Sequence, residues 1–475
     1  MIQNPYTWAD WSAVLPLFIV GGAAVVILFA DLVMRKANGW VSIVLGLAGL
    51  IAAAVYAAQN YGQAHDAFDG GFVQGGFAVV LQEVILISAV FSLVLFNATR
   101  RPDRMGGVTA LVLWATSGAM LMAGAANLMT VFLGLELLSL ALYCLCALSD
   151  RPTSRESGLK YLMLSSTASG FLLFGMAMLF GSSGSVTIAS LANPVLAASP
   201  LYWIGGGLFL IGLAFKLSLV PFHVWSPDVY EGAPLPITAF MSVVTKAGAL
   251  AVFARFAYAI PAEASHALLM PFFIIAGISM IAGNLGMLAQ TDMKRLLAYS
   301  GIAQIGYIVA ALAGSTALGV RYAIYYLVAY MFMNLGAFAV VALLSPTSSD
   351  EGSRIEAFHG LALRRPALAA AMTFFLLALA GFPPTAGFLG KILILSTNVF
   401  AGFPWLAGLL IAGTAISLYA YFKVIRLMYD RHAKPAETAL APLPLAYVTV
   451  AICVALVVIM TFYPLTPSNV LPLVK

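Results

Sequence analysis

Three lysines and one glutamate stand inside runs that are otherwise apolar. Glu136 lies in FLGLELLSLAL and Lys216 in LAFKLSLVPFH. Lys246 lies in the run between Pro236 and Ala259, and Lys391 follows Pro383-Pro384 within KILIL. An ionised side chain at the centre of a membrane helix costs roughly 2.5–3.5 kcal/mol on insertion scales. A lysine within a turn or two of a helix end can snorkel to the interface. Lys246 is about ten residues from either end of its run, roughly 15 Å at 1.5 Å per residue, so it cannot. Glu136 is similarly central, and a carboxylate reaches less far. Burial favours the neutral form of a lysine and a nearby acid favours the charged form. A buried Lys/Glu set can therefore take up and release a proton as its surroundings change. Hard metal cations want oxygen ligands and are repelled by ammonium groups, so this set points to protons. Glu136 is the natural partner for Lys216 or Lys246.

Two prolines sharpen this. Pro221 follows Lys216 by five residues; it supplies no N–H and so should free the carbonyl of Leu217. Lys391 follows Pro384 by seven residues, two turns on, and projects from the side of that break. Broken helices at membrane depth are tolerated where they line a cavity. His223, just past the first break, either bridges between lysines as a relay or caps the break. Ser165, Ser166, Thr167, Ser169, Tyr299, Ser300, Gln304 and Asn334 are polar positions in other apolar runs; ordinary interhelical hydrogen bonding explains each alone. His65, His266, His359 and His432 fall in loops or at interfaces and are expected to be solvated.

Elements long enough to hold these groups must cross a membrane. The chain has 475 residues, 62% hydrophobic and 9% charged, with a mean hydropathy of +0.99. A soluble domain carries about 25% charged residues. Spans of about 20 apolar residues fall near 11–33, 39–58, 77–99, 108–124, 126–148, 157–181, 201–223, 236–259, 268–290, 293–313, 318–344, 366–399, 403–428 and 443–464. The first lacks a basic leader and reads as a retained span. This predicts an all-α polytopic membrane protein of about fourteen transmembrane helices, with helices 7 and 12 discontinuous.

Organisation follows. Residues 1–107 form an N-terminal three-helix segment, 108–259 and 260–430 two five-helix repeats, and 431–475 a C-terminal helix. An odd number of helices per repeat inverts the second against the first, the plan of secondary transporters with sites at broken helices. Basic residues set orientation. Seventeen of the 23 lie in the odd-to-even connections or their flanks: Arg35, Lys36, Arg100, Arg101, Arg104, Arg151, Arg155, Lys160, Lys294, Arg295, Arg354, Arg364, Arg365, Lys423, Arg426, Arg431 and Lys434. Arg255, Arg321 and Lys475 lie on the other side. Both termini should then face outward, with Asp228 and Glu231 at the inner surface. The basic residues are scattered, which argues against nucleic acid despite a net charge of +5. Cys144, Cys146 and Cys453 read as small buried hydrophobes. No HExxH, CxxC or phosphate-binding loop is present, and the chain carries no motif for redox chemistry of its own.

VPFHVWSPDVYEGAP after an intramembrane lysine, and QTDMKRLLAYSGIAQIGY, resemble the antiporter-like subunits of respiratory complex I and the related Mrp cation/proton antiporters. The resemblance covers essentially the whole chain and is strongest from about 108 to 428. Within that family, HVWSPDVYEGAP and the absence of a long C-terminal lateral helix are similar to the subunit N branch of bacterial NADH:quinone oxidoreductase, the counterpart of mitochondrial subunit 2. The resemblance implies one proton channel, with Glu136 and Lys216 as a switchable pair, Lys246 as the central site and Lys391 toward the outer exit. It implies no cofactor in this chain, with FMN, iron–sulfur clusters and quinone in partner subunits. It also implies neighbouring antiporter-like subunit M and small subunit K, and residence in the bacterial inner membrane. One departure stands out: SGIAQ places Gly301 and Gln304 where the family often has SSIxH, and an amide does not exchange protons as histidine does. An Mrp-type antiporter subunit and a non-pumping scaffold are the rival readings.

Overall fold

The computed structural model describes residues 6–34, 39–96, 105–345, 353–432 and 444–464. Arg35, Lys36, Arg100, Arg101, Arg104, Lys434 and Lys475, which entered the orientation argument, lie outside the described residues. Helices α1 (Trp8–Met34) and α2 (Gly39–Gln59) lead into an antiparallel hairpin of β1 (His65–Ala67) and β2 (Phe72–Gln74). Next come α3 (Gly76–Phe96), α4 (Met105–Gly124), α5 (Leu128–Cys146) and α6 (Pro152–Ser183). The middle of the chain forms α7 (Pro200–Leu217), the short α8 (Trp225–Gly232), α9 (Leu235–Ala259), α10 (Ala262–Leu288), α11 (Met293–Ala310) and α12 (Ala317–Leu344). It ends with α13 (Leu361–Arg364), α14 (Pro366–Ala380), α15 (Ala386–Phe400), α16 (Pro404–Met428) and α17 (Pro444–Phe462).

Twelve of these helices are long and apolar enough to cross a membrane. The other two expected spans correspond to α11 and to the α14–α15 pair. α11 opens on MKR and carries Tyr299, Ser300 and Gln304, which lowers its apolarity. α14 and α15 have 15 residues each, about 22 Å of helix, so neither spans 30 Å of hydrocarbon alone. The β1–β2 hairpin was not expected; it sits in the loop between the second and third spans.

Burial is uneven. The most apolar window of α9 is 100% buried and that of α12 94%, against 33% for α1, α2, α16 and α17. α9 and α12 are therefore inner pillars, and the others keep a broad outward face. Glycines let backbones close up, as small residues do between membrane helices. A Cβ on Gly118 of α4 would lie 2.7 Å from the Gly134 carbonyl of α5, and one on Gly205 of α7 would lie 2.9 Å from the Gly175 carbonyl of α6. Glu136 on α5, Lys216 on α7 and Lys246 on α9 are thus held on a tightly packed frame.

Candidate proton-transfer site

The two expected breaks are present and end alike. α7 stops at Leu217, earlier than the expected 223, with Ser218 left-handed at φ 59°. Ser218 N–H donates to the Phe215 carbonyl at 3.0 Å and Leu219 N–H to the Ala214 carbonyl at 2.9 Å. α14 stops at Ala380 with Gly381 left-handed at φ 79°. Gly381 N–H donates to the Ala378 carbonyl at 3.0 Å and Phe382 N–H to the Leu377 carbonyl at 2.9 Å. Such a cap satisfies some end carbonyls and leaves others free. In both breaks a proline in a cis X–Pro bond, Pro221 or Pro384, follows three residues after the left-handed residue. Downstream, Thr385 caps α15 by accepting from Phe388 N–H at 3.2 Å.

At each free helix end sits a buried ammonium. Lys246 of α9 donates to Ser218 Oγ at 2.5 Å and reaches the Lys216 carbonyl at 3.5 Å. Lys391 of α15 reaches back to the Leu379 carbonyl at 3.1 Å and the Ala380 carbonyl at 2.9 Å. The carbonyl end of a helix favours a cation, which is why both charges settle there. Counted back from the left-handed residue, Lys216 and Leu379 hold the same place. The sequence suggested that Pro221 would offer the Leu217 carbonyl. The accepting carbonyl is instead that of Lys216, because the left-handed turn at Ser218 ends the helix before the proline does.

Lys216 itself turns away from the break. Its ammonium donates to Ser139 Oγ of α5 and Ser165 Oγ of α6, both at 2.7 Å. It does not form the ion pair with Glu136 that the sequence suggested. Glu136 Oε1 is buried and without a hydrogen-bond partner. Ser139 is three residues from Glu136 and shares its face of α5. Trp225 lies between the lysines: it stacks on Tyr161 at 4.7 Å and Phe215 at 5.4 Å between centroids, and its indole N–H donates to the Phe215 carbonyl at 3.0 Å. Lys246 Nζ is 5.1 Å from the Trp225 ring centre and Lys216 Nζ 5.4 Å from that of Tyr161, distances of cation–π contact.

The polar positions flagged in other spans divide. Ser165 holds Lys216. Ser166 and Thr167 bond to carbonyls of their own helix, and Ser169 Oγ is buried without a partner. Asn334 of α12 donates to Ser242 Oγ of α9 at 2.6 Å, and Ser300 is 2.6 Å from the Tyr421 hydroxyl. Gln304 is part of the second break: its amide donates to the Leu379 carbonyl at 2.9 Å and accepts from the Tyr326 hydroxyl at 2.5 Å. Gln304 and Lys391 therefore share one carbonyl. Gln304→Leu would leave the Tyr326 hydroxyl and part of that carbonyl unpaired. It is expected to destabilise the protein by about 1–3 kcal/mol, visible as a lower melting temperature in detergent.

His223 packs its ring on Tyr299, 6.4 Å between centroids, with Nδ1 buried and unpartnered. No hydrogen bond joins it to Lys216, Lys246 or Lys391 among the described residues. Three histidines expected to be solvated have an acidic neighbour: His65 has Asp10 at 3.2 Å, and His359 and His432 share Asp430 at 2.8 and 3.5 Å. Lys294, counted as a loop residue, is buried and donates to the Ala233 carbonyl at 3.2 Å. Cys144 is exposed, whereas Cys146 and Cys453 are buried; Cys144 and Cys146 share α5 but point to different sides.

Asp228 and Glu231 of α8 line a cleft of about 480 Å³ with Arg151, Lys160, Asp292 and Arg295. Arg295 donates to Asp228 at 2.6 Å and to Glu231 at 2.8 Å, and Lys160 lies 3.2 Å from Asp228. These bridges tie α8 to α6 and α11. Burial raises the Asp228 pKa, but Arg295 and then Lys160 outweigh it, leaving the group below its usual 3.8. A carboxyl depressed in the fold stabilises it above its unfolded pKa, and that contribution is lost as pH falls through the folded value. Unfolding as the pH falls below the usual 3.8 should therefore show an acid-sensitive component that Asp228→Asn lacks.

The amino-acid matches decide the family. The family described as "NADH:quinone oxidoreductase/Mrp antiporter, TM" matches residues 125–417. The chain belongs to this family. Its relatives include NADH-quinone oxidoreductase subunit N of Trichlorobacter lovleyi, 38% identical over 458 residues, covering 93% of this chain and 92% of the relative. Subunit N 1 of Symbiobacterium thermophilum is 38% identical over 455 residues, 92% and 90% of the two chains. Among solved structures, a chain of respiratory complex I from Thermus thermophilus with bound aureothin matches with a TM-score of 0.82 at 32% identity, covering 94% of this chain and 97% of that one. A chain of the Mrp complex from a Dietzia species matches at 0.83 and 19% identity over 98% of both, which shows the shared fold. All the candidate proton-transfer residues from Glu136 to Lys391 fall inside the matched segment of this NADH:quinone oxidoreductase/Mrp antiporter family member.

Proposed function

We propose that this chain is the proton-translocating, antiporter-like subunit N of a bacterial NADH:quinone oxidoreductase. The observation that carries the mechanism is the pair of buried ammonium groups, Lys246 and Lys391, each seated on the free carbonyl end of a broken helix. A neutral amine and an ammonium differ in how well they fit such a carbonyl end, so a small shift at the break changes which form is favoured. The Lys216 ammonium, reaching from α7 to Ser139, lies about one turn from Glu136 along α5. Exchange of Ser139 for Glu136 as its partner would favour the charged lysine, and the reverse would favour release. Protons would pass from the Glu136–Lys216 side, past Trp225, to Lys246 and on to Lys391. Asp228 and Glu231 are tied up by Arg295, so their part is to hold α8. His223, packed on Tyr299, would serve the break structurally. Gln304 would fix the Leu379 carbonyl for Lys391 and would carry no proton itself.

The matching caps at the two breaks support two inverted five-helix repeats, 108–259 and 260–430, after an N-terminal segment 1–107 and before a C-terminal helix 431–475. Oxidation of NADH and reduction of quinone would occur in partner subunits holding the flavin and iron–sulfur clusters, with subunits K and M as neighbours. The chain would lie in the bacterial inner membrane with both termini outside. Glu136→Gln tests this reading. In inverted membrane vesicles, NADH-driven acidification of the lumen should fall several-fold. Wild-type acidification at wild-type NADH oxidation, or sodium-driven proton exchange without the redox subunits, would overturn it.

A further inference from the structure

α3 carries a carboxylate that none of the proton chemistry above uses. Glu83 is seven residues from the start of Gly76–Phe96, about 10 Å into the helix. Charged residues at that depth normally face the bundle interior and pair with something. Glu83 does neither. It is partly exposed, its Oε1 is shielded from solvent, and that atom has no hydrogen-bond partner.

Its surroundings are equally specific. Val80, Glu83, Ile87, Val90 and Val94 are partly exposed, and every other residue of α3 is buried. The spacing alternates three and four residues, the a/d seam by which one helix receives one other helix. Helices with a broad outward face look different: on α2 only Gly39, Ser42, Ile43, Gly46, Leu50, Ala53 and Ala57 are buried. α3 thus offers a narrow, mostly β-branched seam with one unpaired acid in it.

We propose that this seam receives a transmembrane helix of another subunit, one that presents a lysine or arginine to Glu83. The proposal rests on the chain working in a multi-subunit membrane assembly, as its family does. Charge complementarity selects the partner: an acid at this depth is best satisfied by a basic side chain on the facing helix. A lipid chain would leave it unpaired. The seam's period selects a single helix rather than a loop or a broad surface.

The test is site-specific photocrosslinking in the intact purified complex, with a benzophenone side chain at Ile87 and a control at Leu140 on the exposed face of α5. The proposal expects the Ile87 adduct to map to one transmembrane helix of another subunit, with a lysine or arginine within about one turn of the attachment point. It further expects Glu83→Lys to lower the adduct yield and an acidic replacement of that partner residue to restore it. Glu83→Gln, which keeps the shape, should lower the yield less. A lipid adduct or none at Ile87, with a protein adduct at Leu140, would overturn the seam while leaving the assembly standing. A protein adduct on a helix without a basic residue there would also overturn it. Absence of protein adducts at both positions would remove the assembly reading together with the seam.

Discussion

Gly387→Val is expected to disable the second break. A Cβ at this position would collide with the Ala378 carbonyl of α14. That atom is backbone and cannot swing aside, so the two half-helices must separate. Overpacking of this kind costs about 1–3 kcal/mol in a soluble core. The functional loss should be larger, because Lys391 depends on the Leu379 and Ala380 carbonyls just beyond Ala378. NADH-driven proton translocation should drop by roughly tenfold or more, the scale of a misplaced proton-transfer group. The comparison variant is Gly402→Ala, in the turn between α15 and α16, where a Cβ meets nothing within 4 Å. Its left-handed φ of 84° adds local strain of about 1 kcal/mol, but no break moves. Proton translocation in vesicles, set against melting temperature, separates a broken site from a loosened fold.

Lys246→Met is expected to have the second large effect, and in the opposite sense for stability. Methionine has similar length and fits an apolar interior, so removing the buried charge should leave the melting temperature unchanged or raised. Proton transfer at that point should fall by roughly 10²-fold, the usual contribution of a positioned acid–base group. Lys246→Arg separates charge from exchange. A guanidinium keeps the positive charge but does not deprotonate in proteins, so this variant should be as inactive as methionine. If arginine restored translocation, Lys246 would act as a fixed charge rather than as a proton carrier.

Much of this was legible from the residues because lipid imposes strict rules. A helix without water must satisfy its own backbone, so apolar runs of about 20 residues could be mapped to helices directly. Pro221 and Pro383-Pro384 marked the breaks for the same reason. Other features depend on tertiary contacts that spacing does not encode. Lys216 takes Ser139 and Ser165 rather than Glu136 because α5 and α6 bring those hydroxyls to it; the sole hint was that Ser139 shares a face with Glu136. Lys246 takes over the free carbonyl near Lys216 from a different helix, which local sequence around Pro221 could not reveal. Gln304 looked like a lost relay and is instead a fixed polar clamp, set by Tyr326 from α12. Glu83, a lone acid in the third span, carries the same sequence signal as Glu136.

The central claim is that ammonium groups at the two helix breaks carry protons across this subunit. The number of protons translocated per NADH oxidised, in tight liposomes holding the purified complex with Lys246→Met and Lys391→Met together, tests it most directly. The account predicts a ratio clearly below that of the wild-type complex measured in parallel, with a folded and fully assembled complex. An unchanged ratio at unchanged electron flux would contradict it.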